Sequence, residues 1–173
     1  ALSELTLKYD NYDIIKEGLC VDENDVNAAF KECDKDLISA IDKAAERISD
    51  FHEKQIPSNI SYTDGSNVQL GYKWTPLDTV GLYIPGGKAS YPSSVIMTAI
   101  PAKIAEVPEV SMCVPCPKGY LNPSVLVAAK ICGVKKIYKI GGAQAIAAMA
   151  YGTNTVKKVN KIFGPGNAWV AEA

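Results

Sequence analysis

Histidine is nearly absent: His52 is the only one in 173 residues. Metal centres are built from clusters of histidines, cysteines and carboxylates, and no cluster with plausible ligand spacing exists, the carboxylates Asp50 and Glu53 beside His52 included. His52 follows the apolar Phe51 in a helical pattern, so it reads as a helix-face histidine making a structural hydrogen bond. Excess charge is also missing, the net value being −1. Without a basic surplus nothing neutralises a phosphate backbone, which removes the argument for a nucleic-acid partner. Long apolar runs are lacking too. Lys, Pro or Gly breaks each one before the roughly 20 residues that a bilayer crossing takes. The stretch Ala1–Tyr9 does not resemble a signal peptide. The expectation is a soluble, cytoplasmic protein without a membrane partner.

Cysteines number five, at 20, 33, 113, 116 and 132, an odd set that makes no disulfide framework. Cys113-Val114-Pro115-Cys116 has the spacing of a thioredoxin-type pair. Such a pair needs its first thiol at a helix N-terminus, where the dipole favours the thiolate. Here Cys113 lies inside the strand-like run VSMCV. A zinc site would need a second cluster, and none follows.

What the chain does have is apolar content, 47% of its residues, enough to bury a core. Its organisation changes near Thr79. Before it, Asp22 and Asp25 mark a helix start. A longer helix is predicted over Lys35–Gln55, with Leu37, Ile41, Ala44, Ile48 and Phe51 on one face and Pro57 ending it. Asp64-Gly65 signals a turn in Ser58–Ser66, and Val68–Trp74 reads as a strand. After Thr79, strands at Val80–Ile84, Glu109–Val114, Lys135–Ile140 and Val159–Phe163 alternate with helices. Those helices open at Tyr91-Pro92, at Asn122-Pro123, after Gly141-Gly142 and after Gly164-Pro165-Gly166-Asn167. Alternation at this spacing needs crossover connections. It predicts an α/β fold, a mostly parallel sheet with helices on both faces, in the manner of an incomplete Rossmann-like unit. Residues 1–78 are expected to be a helical and hairpin part of a first domain, and 79–173 an α/β cofactor-side domain. The chain opens within a helix and stops six residues into another, so both ends read as cut.

Gly86-Gly87, Gly141-Gly142 and Gly164-Pro165-Gly166 each follow a strand and precede a helix. Tight turns at carboxyl strand ends leave amides pointing outward, where dinucleotides and other anions bind. Polar Tyr83, Gln144 and Asn167 stand at these corners, and the expectation is that they line one crevice. Alone, Tyr83 would be a half-buried packing residue, Gln144 a solvent-facing amide and Asn167 a helix cap. The Gly164 motif is not a dinucleotide fingerprint, because Trp169 stands where a third glycine would be. Lys88 suits phosphate but is left outside the site, Ser93 and Ser94 read as caps, and Lys135, Lys136 and Lys139 as a solvated edge.

YIPGG with YPSSV, then GGAQA with AYGT, then KIFGPGN, in this order and spacing, resemble the histidinol dehydrogenases. FHEKQ and the preceding helix extend the resemblance over essentially the whole chain. It implies an NAD-dependent, zinc-requiring homodimer that oxidises L-histidinol through histidinal to L-histidine, the last steps of histidine biosynthesis. By motif, Tyr83, Gln144 and Asn167 match the family's NAD-contacting positions. The zinc ligands, the acid–base pair and most substrate contacts fall beyond residue 173. No catalytic or metal residue is therefore expected here, and this chain alone is expected to be inactive. The competing reading is a stand-alone, non-catalytic nucleotide-binding or scaffold module of the same fold.

Overall fold

A computed structural model describes residues 1–86 and 89–173. The predicted corner residue Gly87, and Lys88 beside it, lie outside the described residues.

Helix α1 (Leu2–Asp10) is followed by α2 (Glu23–Glu32) and α3 (Lys35–Glu53). The start of α2 is a reciprocal cap. Asp22 accepts from the Asp25 amide at 2.8 Å, and Asp25 accepts from the Asp22 amide at 3.1 Å. Helix α3 stops at Glu53, short of the predicted Gln55, because Pro57 bars the helical conformation from the residue before it and the last turn frays back.

Next comes an antiparallel hairpin, β1 (Ile60–Thr63) with β2 (Gln69–Tyr72). The Asp64 carboxylate accepts from the Ser66 and Val68 amides at 2.8 and 2.9 Å and shapes its turn. The predicted hairpin is thus present, with β2 inside the predicted strand Val68–Trp74 and β1 inside Ser58–Ser66, which reads in the sequence as turn-rich.

From Thr79 the strands and helices alternate as β3 (Thr79–Tyr83), α4 (Pro92–Ile104), β4 (Glu109–Cys113), α5 (Pro123–Ile131), β5 (Lys136–Tyr138), α6 (Gly142–Tyr151), β6 (Lys161–Phe163) and α7 (Ala168–Ala171). The sheet order is β5-β4-β3-β6, and every pairing is parallel. The predicted α/β class, with helices on both faces, is the observed one.

Alternation within β3 decides what each face holds. Val80, Leu82 and Ile84 point into a core shared with α2, α3, α4 and α5, where Ala29, Ile41, Val95, Ile100 and Val127 are buried. Gly81 and Tyr83 face α6, in a second core with Cys113, Tyr138, Ile140, Ala145 and Met149. Helix α6 presses close at Gly81, where a Cβ would meet the Met149 sulfur at 2.6 Å. Helices α2 and α3 therefore contribute to the core of the parallel sheet. On the apolar face of α3, Ile41 is buried and Ile48 half-buried, while Leu37 and Phe51 are exposed. Both hairpin strands are exposed throughout.

Candidate functional site

Strand order fixes where a ligand can enter. From β3 the chain runs to α4 on one face of the sheet; from β6, beside it, the chain runs to α7, whose Val170 packs on the opposite face. Loops leaving two neighbouring strands in opposite directions part at the carboxyl edge, and such a switch point is where open α/β sheets bind ligands.

Tyr83 stands at that point as the last residue of β3. It is 5% exposed, and its hydroxyl oxygen accepts from the Gly142 amide at 2.9 Å. One side chain thereby ties the end of β3 to the start of α6. Burial raises the Tyr83 hydroxyl above the usual tyrosine value, with the Gly142 hydrogen bond opposing the shift. Gly142 takes a left-handed φ of 69°, and Gly141 caps α6 without a side chain, so the first-turn amides next in line are not claimed by a cap. Gln144, partly exposed, sits in that first turn with its Oε1 beside Gly142.

Gly164 closes the corner from the other strand. Its φ is 149°, and a Cβ there would overlap the Tyr83 carbonyl oxygen, so backbone approaches backbone where only glycine fits. Asn167 is exposed and caps α7, accepting from the Val170 amide at 3.2 Å. The structure thus brings Tyr83, the α6 start and Gly164 into contact. It puts Gln144 on that α6 turn and engages Asn167 as a helix cap. A separate cavity of about 260 Å³ opens nearby between the loops after β3 and β4, walled by Pro85, Gly86, Pro115, Tyr120 and Asn122.

One further group at this edge carries no signal in the sequence. Asp10, the last residue of α1, has a buried carboxylate oxygen without a hydrogen-bond partner among the described residues. Burial raises its pKa, opposed by the Cys116 amide, and its charge acts on the Tyr83 hydroxyl. An isolated aspartate at a helix end gives no pattern to read.

The cysteines settle into structural roles. Burial pushes the thiols of Cys113 up to about 12 and of Cys116 and Cys132 up to about 11, so all three are neutral at physiological pH. In a thiol titration of the folded chain at pH 8, exposed Cys20 is expected to react first, slowed by a thiol pKa that partial desolvation raises, and half-buried Cys33 after it, with the other three protected. Fast labelling of Cys113 and Cys116 would restore the redox reading. These thiols hold their protons to higher pH when folded than when unfolded. Their contribution to stability is therefore complete below about pH 9 and declines as the pH rises toward 12.

Comparison with known proteins adds what geometry alone does not name. The family model described as histidinol dehydrogenase matches residues 1–173. The chain belongs to the histidinol dehydrogenase family. It is 50% identical to a histidinol dehydrogenase of Gluconobacter oxydans (strain 621H), over 100% of this chain and 40% of that protein. With one from Mesorhizobium japonicum the identity is 52%, at the same coverage of both. The crystal structure of histidinol dehydrogenase from Elizabethkingia anophelis superposes with a TM-score of 0.94 at 37% identity, over 99% of this chain and 39% of that one. The chain therefore spans about two fifths of the length of these relatives.

Among the described residues no three His, Cys, Asp or Glu side chains group to hold a metal ion. The zinc that the family resemblance implies has no fitting site in them. No helix among them is long and apolar enough to cross a membrane.

Proposed function

We propose that the protein carrying this chain is an NAD-dependent, zinc-requiring enzyme that oxidises L-histidinol through histidinal to L-histidine. In this reading the chain supplies the NAD side of the enzyme. The observation that carries it is the junction at the switch point. There Tyr83 accepts from the Gly142 amide, and Gly164 lies against the Tyr83 backbone.

The junction fits a dinucleotide. Where Gly164 passes Tyr83 no Cβ obstructs the corner, and the uncapped first turn of α6 offers amides and a helix N-terminus to a pyrophosphate. Tyr83, Gln144 and Asn167 are the residues proposed to hold the cofactor. Gln144 would bond ribose or phosphate through its amide, and Asn167 would present its corner while capping α7. Tyr83 fixes the α6 start against the sheet. When bound, NAD accepts the hydride from the alcohol carbon. The base that takes the hydroxyl proton and the groups that hold zinc are assigned to the part of the protein outside this chain, because the described residues form no such cluster. Residues 1–78 are proposed to belong to a first domain completed by that remainder, its hairpin exposed on both strands while α2 and α3 pack on the parallel sheet. The assembly is proposed to be a cytoplasmic homodimer.

The test is histidinol-dependent NADH formation. The full-length protein is expected to turn over, to lose activity on zinc chelation and to regain it with added zinc. The 173-residue chain is expected to show none. Turnover by the chain alone would mean that the catalytic groups are misassigned. NAD binding without turnover by the full-length protein would favour a non-catalytic module.

A further inference from the structure

The amino edge of the sheet, opposite the proposed cofactor corner, holds a feature that hydride transfer does not use. A cavity of about 310 Å³ opens there, lined by Lys103, Lys135, Lys136, Lys157, Lys158 and Glu109. These lysines come from three places: the last turn of α4, the lead-in to β5 with its first residue, and the turn before β6. In sequence they are up to 55 positions apart, and only the order β5-β4-β3-β6 gathers them. Five ammonium groups against one carboxylate make this a concentrated positive site on a chain whose net charge is −1.

The lone carboxylate is already engaged. Lys157 Nζ bonds both oxygens of Glu109 at 2.7 Å, and that ammonium holds the Glu109 pKa below its usual value. Lys103, Lys135, Lys136 and Lys158 make no salt bridge among the described residues. Three helix carboxyl ends, of α4, α5 and α6, also face this edge, and Gly152 at the end of α6 lies against Lys158. Their dipoles together amount to roughly one and a half negative charges, and Glu109 acts on Lys136 as well as on Lys157, which offsets part but not all of the charge of the four remaining ammonium groups. The neighbouring Cys132 thiol, held up to about 11 by burial, is neutral and adds none.

Two further observations make the cavity more than a row of solvated lysines. Its floor is apolar, formed by Ala99, Val107, Val110, Val134 and Val159. Its wall is also held in place. Thr153 Oγ1 accepts from the Thr155 and Val156 amides at 3.1 and 2.8 Å, and Asn160 Oδ1 accepts from the Thr79 amide at 2.9 Å. The turn carrying Lys157 and Lys158 is thereby pinned at both ends. Exposed cations around an apolar floor match an anion with an apolar body.

We propose that this cavity is a second ligand site, for a small organic phosphate, separate from the proposed cofactor corner and independent of it. The phosphate would lie among Lys103, Lys135, Lys136 and Lys158, and the apolar part on the valine floor.

The probes are phenyl phosphate and inorganic phosphate, titrated calorimetrically into the full-length protein at low salt. Phenyl phosphate is expected to saturate one site and to bind more tightly than inorganic phosphate, with affinity falling as salt rises. The double variant Lys103→Gln/Lys136→Gln is expected to weaken it roughly tenfold or more, whereas Lys103→Arg/Lys136→Arg retains it. Saturating NAD is expected to leave it unchanged. In a parallel measurement, trace acylation of lysines read by mass spectrometry should show Lys103, Lys135, Lys136 and Lys158 protected by phenyl phosphate. The idea fails if no saturable binding is seen, if the Gln variant binds equally, if NAD competes, or if protection falls on other lysines. Equal affinity for the two probes would overturn the organic ligand class.

Discussion

Gly164→Val is expected to abolish histidinol-dependent NADH formation by the full-length protein and to destabilise it by about 3 kcal/mol. Two effects add at this position. Its φ of 149° belongs to a region that side-chain-bearing residues rarely adopt, and a Cβ would overlap the Tyr83 carbonyl oxygen. That oxygen belongs to backbone at the end of a central strand, so it cannot swing aside as a flexible side chain would. Relief requires β6 to draw away from β3, which opens the corner proposed to hold the cofactor. Urea unfolding and an NAD titration measure the two consequences separately. Gly65→Ala is the control: nothing lies within 4 Å of a Cβ there, and its cost should stay within about 0.5 kcal/mol. A Gly164→Val protein with unchanged NAD affinity would remove this corner from the cofactor site.

The sequence shows that glycine clearly, but not the reason for it. Gly164 follows a strand-like run and precedes an asparagine cap, a pattern visible residue by residue. Its contact with Tyr83 is not visible, because β6 lies beside β3 only through the sheet order, and no local pattern encodes that order. The four parallel strands could be read because Val80, Leu82 and Ile84 and their counterparts form short apolar runs between turn signals. Strand β1 could not: Ile60-Ser61-Tyr62-Thr63 is half polar and exposed, and only its pairing with Gln69–Tyr72 makes it a strand. Helix α2 was legible in its Asp22–Asp25 cap, since capping is local chemistry. Its partnership with α5 across the core was not. The same limit applies to the lysines. Lys135 and Lys136 read as a solvated edge until the fold sets Lys103, Lys157 and Lys158 around one cavity with them.

Tyr83→Phe and Gln144→Ala are expected to weaken NAD binding by similar amounts for different reasons, and their stabilities should tell the reasons apart. Tyr83→Phe deletes the acceptor of the Gly142 amide. An amide stripped of its partner in a partly buried place costs about 1–2 kcal/mol, and the start of α6 loses its tie to β3. Stability should fall by that amount, and NAD affinity should fall roughly tenfold as the first turn loosens. Gln144 makes no side-chain hydrogen bond among the described residues, and it is partly exposed. Its truncation should leave stability within about 0.5 kcal/mol of the parent. NAD affinity should still drop about tenfold through the lost amide contact. Histidinol affinity should change little in either variant, because the substrate contacts are assigned outside this chain. Three outcomes would change the picture. Loss of NAD affinity in Tyr83→Phe without loss of stability would mean that the hydroxyl touches the cofactor directly rather than through Gly142. Loss of stability with intact affinity would make Tyr83 a packing residue, and unchanged affinity in Gln144→Ala would return that side chain to the surface. Both of the last two together would dissolve the shared site, leaving Asn167 as the cap of α7 and nothing more.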